Sequence, residues 1–226
     1  QGKVTEFVNK FRNNPMSPGI NYEKLNSVID KKIFSVRIDD TYRGIVVRQQ
    51  EVGVYLLLWV DHHDEAYQWA ARKRCEVNPK TGAIQVFDVQ TVVEQASTPD
   101  KVTLFALAKD DELLKLGVPE IQLDFVRSFI SKEDFYKAEQ SMPHDAYEHL
   151  SWLAEGFPME EVLELVLEEQ NTSSASENLA TALDVPTTLK SFVVVDGEDE
   201  LRRIMAEPLE KWRVFLHPTQ RKIARK

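Results

Sequence analysis

The sequence predicts an α+β protein: a small antiparallel sheet with helices, followed by an acidic, mainly helical unit and a short C-terminal strand-helix segment. Three observations carry this reading. Residues 33–60 contain three consecutive runs of strand character, ending in the almost wholly apolar VYLLLWV of residues 54–60. Charge is strongly partitioned: residues 1–88 hold 13 Lys/Arg against 11 Asp/Glu, residues 89–200 hold 7 against 24, and residues 201–226 hold 8 against 2. A Gly, apolar, Pro pattern followed by an amphipathic run occurs twice in the acidic part, at LGVPEIQLDFV (116–126) and EGFPMEEVLELV (155–166).

In chain order, Lys3 to Arg12 places Val4, Phe7, Val8 and Phe11 on one helical face and is closed by Asn13-Asn14-Pro15. Ser17-Pro18-Gly19 is turn chemistry, and Tyr22 to Ile29 reads as a short helix or loop bearing Glu23. From Ile33 to Asp39 the apolar Phe34, Val36 and Ile38 alternate with Ser35, Arg37 and Asp39, the period of a sheet with one wet face. Asp39-Asp40-Thr41 turns the chain into a second strand, Tyr42 to Arg48. The apolar run 54–60 reads as a strand buried on both faces in the middle of the sheet. It ends abruptly in Asp61-His62-His63-Asp64, with Tyr67 one helical turn on.

Asp64 to Arg74 has helical spacing, with Asp64 as its cap and Ala66, Trp69 and Ala70 turned inward. NPKTG (78–82) is a turn before a short strand, Ala83 to Val89. In the duplicated pattern, Gly suits the end of one helix and Pro the first turn of the next, so residues 97–170 read as a stack of short helices. NTSSASE (171–177) is Ser-rich and poor in apolar residues, the composition of a linker. Beyond it come a short strand at Phe192 to Val195 and a helix at Glu198 to Ala206. The expected organisation is therefore 1–96, 97–170, a linker at 171–190, and a closing segment at 191–226.

With 226 residues and 42% hydrophobic composition the chain is long enough for a substantial core. The single cysteine, Cys75, excludes an internal disulfide framework and makes a reducing, cytoplasmic setting the expectation. No apolar run reaches the length of a membrane span, so no membrane partner is expected. The chain opens at Gln1-Gly2 without Met, as a processed product or an excised piece does. The strongly acidic middle repels phosphate, so a DNA or RNA partner is expected at the basic ends, and a protein partner at the acidic helices.

SVRIDDTYRGIV (35–46) and VDHHDEAY (60–67) resemble the middle hairpin and the closing strand and turn of the RelE/ParE superfamily, which includes ribosome-dependent mRNA endonucleases and gyrase inhibitors. The resemblance covers roughly the first 75 residues. It implies a metal-independent ribonuclease site in which a ribose 2′-OH attacks the adjacent phosphate. Glu23 is then the base, Arg43 the phosphate clamp assisted by Arg37, His63 or His62 the acid, and Tyr67 a stacking or proton-relaying group. The sequence departs from the family where Asp61 replaces a Gly and His63 an Arg.

WRVFLHPTQR (212–221) resembles the segment ahead of the ATP-binding strand in UvrD-like superfamily I DNA helicases, where a Leu-x-x-x-Gln pattern supplies an adenine-reading amide. Gln220 takes that role here, since an amide both donates and accepts. No G-x-x-x-x-G-K-[ST] phosphate loop occurs in the 226 residues, so this chain needs no cofactor of its own; ATP and Mg belong to the full helicase that the resemblance implies. Three functions follow: a regulatory or targeting N-terminal region of such a helicase, a RelE-type endoribonuclease, or a protein-binding scaffold.

Overall fold

The computed structural model describes residues 2–49, 53–89, 103–170, 179–195, 199, 200 and 203. The chain divides into two compact units, built mainly from Gln1–Cys75 and from Glu76–Phe192.

The first unit opens with helix α1 (Gly2–Asn13). A four-stranded sheet follows in the order β1-β2-β3-β4, with β1 Glu23–Lys24, β2 Ile33–Arg37, β3 Tyr42–Gln49 and β4 Val54–His62, all antiparallel. Helix α2 (His63–Arg72) leaves directly from the end of β4. The period-2 alternation of β2 sends Phe34, Val36 and Ile38 to one side, where Val36 and Val46 close a core with Phe7 of α1 and with Ile20. The opposite side carries Ile33, Ser35, Ile45 and Val47, all at most 1% exposed. Ala66 and Ala70 of α2 are fully buried, and their small side chains let the helix approach the sheet closely.

Helices therefore lie against both faces, and the expectation of one wet face is corrected: Ser35 is covered. The central placing of the apolar run is corrected as well. Among the described residues β4 is one of the two outer strands, and only its Leu56 is buried, while Leu57, Trp59 and Val60 are each about two-fifths exposed. An apolar run fixes strand character, but its neighbours decide whether both faces are covered. Glu23 lies in a two-residue strand, where a helix or loop was expected. The cap of α2 also differs from expectation: its N-cap is His62, with no side-chain hydrogen bond.

β5 (Lys73–Val77) and β6 (Ile84–Asp88) form a two-stranded sheet. The second unit continues with α3 (Asp110–Lys115), α4 (Leu123–Arg127), α5 (Lys132–Lys137), α6 (His144–Ala154), α7 (Met159–Gln170), α8 (Leu179–Ala182) and α9 (Pro186–Ser191). Its core gathers Leu113, Leu116, Val126, Phe135, Leu150, Val162 and Val166.

The duplicated Gly-Pro pattern has one physical form in both copies. Gly117 and Gly156 share a φ of 92°. Each closes a helix with paired backbone bonds: Gly117 N to Leu114 O (3.1 Å) with Val118 N to Leu113 O (3.1 Å), and Gly156 N to Leu153 O (2.9 Å) with Phe157 N to Trp152 O (3.1 Å). This is the left-handed helix terminus that glycine permits.

Two boundaries differ from those expected. The units part at Cys75/Glu76, well before residue 96. Within 171–190, the part from Leu179 onward is packed rather than a linker: Leu179, Ala182 and Val185 are buried, and Thr188 Oγ1 accepts from the Ile84 amide at 2.9 Å. Phe192 to Val195 forms no strand. No described helix is long and apolar enough to cross a membrane.

Candidate nucleic-acid interface

The β2–β3 connection is built by Asp39, whose Oδ1 accepts from the amides of Thr41 and Tyr42, both at 2.8 Å. This side-chain-to-backbone closure is the turn chemistry for which Asp is suited. It sets the register in which Arg37 stands opposite Arg43, and Arg43 in turn opposite Asp61 of β4. Residues directly opposite in a ladder share a face. Both arginines therefore leave the sheet on the side covered by α2. Arg43 Nη1 donates to the carbonyls of Asp39 (2.9 Å) and Tyr42 (3.1 Å), which fixes the guanidinium against the turn. Arg37 is ion-paired with Asp40, itself almost fully exposed.

The same face carries Glu23, the register partner of Ser35. Tyr67, projecting from α2, joins them: its hydroxyl lies 3.0 Å from Ser35 Oγ and donates to Glu23 Oε2 at 3.4 Å. Asn21 Nδ2 donates to the other oxygen of Glu23. A cleft of about 200 Å³ opens here, lined by Glu23 to Val28 and Tyr67. The His63 ring lies against that of Tyr67, centroids 4.2 Å apart, and its Nδ1 is 2.8 Å from Asp64 Oδ1.

The structure thus brings Glu23, Tyr67 and His63 into one contiguous cluster and puts Arg37 and Arg43 on the same side of the sheet. It does not bring His62 there. His62 is the partner of Tyr42 across the ladder, on the α1 side, and its ring packs on that tyrosine with centroids 4.7 Å apart. His62 is the last residue of β4 and His63 the first of α2, and the change from strand to helix between them sends the two rings to different partners. Gln220 lies outside the described residues.

Sequence reasoning missed one member. Ser35 was read as a wet-face residue; the signal for its burial was Tyr67, a hydroxyl-bearing residue on the inward stripe of the next helix. Asp61, the departure from the family already read from the sequence, stands on the same face opposite Arg43. The His62 amide, donating to Asp61 Oδ1 at 2.8 Å, and then the Trp59 indole N–H hold its carboxyl below the ordinary value, so it stays charged beside the arginines. A phosphate approaching this face meets two guanidinium groups and also this carboxylate.

Comparison of the chain with protein-family models, with curated proteins and with solved structures found no match.

Proposed function

We propose that this chain is the regulatory and targeting region of an ATP-dependent superfamily I DNA helicase, and that its first unit is a RelE-like domain that contacts nucleic acid. The observation that carries the reading is the Arg37 to Arg43 register, which aligns two guanidinium groups on one face. Planar guanidinium groups suit bidentate contact with phosphate oxygens. Support for the helicase context comes from the LHPTQ run at 216–220 and its resemblance to the adenine-reading segment of UvrD-like motors. No step of ATP hydrolysis belongs to this chain, whose sequence holds no phosphate loop.

A second reading, metal-independent RNA cleavage, is favoured by the Glu23 to Tyr67 contact at 3.4 Å and the His63 ring beside it. In it Glu23 takes the proton from a ribose 2′-OH. The oxygen attacks the adjacent phosphate held by Arg43, and the leaving 5′-oxygen receives a proton from His63.

The test is fluorescence anisotropy with labelled 12-nucleotide DNA and RNA, comparing the wild type with the Arg37→Ala, Arg43→Ala double variant. A loss of affinity for both strands supports the contact reading; equal affinity removes it. Incubating RNA with the protein in a chelator tests the second reading: cleavage that disappears in Glu23→Gln supports it, and intact RNA ends it.

A further inference from the structure

Trp59 sits on β4 opposite Ile45, and so projects toward the side of the sheet covered by α2. Its ring is stacked on Trp69 of α2, with centroids 5.3 Å apart and planes only 6° from parallel. Lys73 Nζ in turn lies 5.4 Å from the centroid of the Trp69 ring. Trp69 thus contacts both a cation and a second indole. Lys73 is buried, 4% exposed, whereas Trp59 is open to solvent, 42% exposed. Parallel rings with centroids this far apart are offset, so Trp69 leaves part of the Trp59 ring uncovered. The indole N–H donates to Asp61 Oδ2 at 3.3 Å, which fixes the rotation of the ring.

We propose that Trp59 is a stacking platform for an unpaired nucleobase, and that the first unit consequently takes single-stranded nucleic acid in preference to duplex. The inference rests on the phosphate-contact reading above and extends it to the bases. Asp61, the ladder partner of Arg43, is two residues from Trp59 on the same strand, about 7 Å away. Base and phosphate contacts therefore lie one nucleotide's reach apart. Every base has a π-face, so stacking of this kind is tolerant of sequence. A duplex keeps those faces in its own stack and cannot offer one to the platform.

The competing occupant is a second copy of the chain pairing along β4. The strand carries a bulge at Leu58, the residue skipped between the Ile45 to Trp59 and Val46 to Leu57 pairs. A bulge breaks the regular row of N–H and C=O groups that strand addition requires, whereas stacking needs only a ring face.

The experiment uses the full chain with a fluorescein-labelled 12-mer of deoxythymidylate and a labelled 12-base-pair duplex, read by anisotropy at 50 mM salt. Alongside the wild type stand Trp59→Leu, which keeps apolar bulk without a π-face, and Trp59→Phe, which keeps the π-face. Circular dichroism melts check the fold of each. The wild type is expected to prefer the single strand at least tenfold. Trp59→Leu is expected to lose roughly 5- to 150-fold of single-strand affinity, the range for one stacked base, with duplex affinity unchanged and Trp59→Phe close to wild type. The inference is overturned if Trp59→Leu binds the single strand like wild type, if both variants lose it equally, or if Trp59→Leu converts a dimer to a monomer in sedimentation. Equal binding of both probes, still lost in Arg43→Ala, overturns this inference alone. A wild type that binds neither probe overturns the phosphate reading with it.

Discussion

Arg43 stands directly across the β2–β3 ladder from Arg37, so two like charges occupy a position where sheets favour opposite ones. The pairing of Arg37 with Asp40 is solvent-exposed and offsets little of that repulsion. An arrangement that costs stability and serves binding has a testable signature. Arg37→Thr removes the repulsion and leaves the bonds from Arg43 to the turn in place, so it should stabilise the first unit by roughly 0.2–1 kcal/mol while lowering affinity for an oligonucleotide. Urea denaturation and anisotropy on the same sample measure both. A variant that loses stability together with affinity would mark Arg37 as structural.

Tyr67 ties α2 to the sheet through the buried Ser35 hydroxyl. Removing only the phenolic oxygen, in Tyr67→Phe, leaves that hydroxyl facing an aromatic edge and should cost about 1–2 kcal/mol. The Ser35→Ala, Tyr67→Phe double variant should recover part of the loss, because neither partner is then left unsatisfied. Urea midpoints of the three variants give the coupling directly.

Gly117 and Gly156 have the same positive φ but different surroundings. A Cβ at Gly156 meets nothing within 4 Å, whereas one at Gly117 falls 2.9 Å from Asp145 Oδ2. Gly156→Ala should therefore cost only the backbone penalty, about 1–2 kcal/mol. Gly117→Ala should cost more, since the Asp145 carboxylate and Gln85 amide must also shift. Thermal melts of the two variants rank them.

Asp145 is buried at the start of α6, where both its oxygens accept from Gln85 Nε2 at 2.9 and 2.7 Å. Burial pushes its carboxyl above the ordinary value of 3.8, against the opposing pull of His149, the Gln85 amide, the Ala146 N–H and His144. The folded state then holds this proton more tightly than the unfolded state does. Its contribution to stability is full below the unfolded value and is lost as pH rises through the raised folded one. Asp145→Asn removes that dependence. Its melting temperature should gain on the wild type as pH rises from about 3.8 and level off above the folded value. A constant difference across that range would contradict the assignment.

The local patterns of the chain were legible where one periodicity governs one element. Phe7, Val8 and Phe11 mark the inward stripe of α1, and Phe34, Val36 and Ile38 mark one face of β2. The two Gly-Pro signals gave two helix ends of the same geometry. What the pattern could not show was set by neighbours distant in sequence. Trp59 reads as core because it sits in an apolar run, and its exposure follows from the place of β4 in the sheet order. Ser35 reads as solvent-facing until Tyr67 is brought over it. His62 and His63 are alike in sequence, but the change from strand to helix between them sends one to Tyr42 and the other to Tyr67. Residues 179–191 are too short for a clear period, and their burial comes from contacts such as Thr188 with the Ile84 amide.

The measurement that bears most directly on the central claim is the salt dependence of single-strand binding, for the wild type and for the Arg37→Ala, Arg43→Ala double variant. Each phosphate neutralised on a single strand contributes a slope of about −0.7 in the logarithm of affinity against the logarithm of salt. If the paired arginines contact phosphate, the slope of the double variant should be shallower by roughly 1.4. Identical slopes would contradict the assignment of this face to nucleic acid.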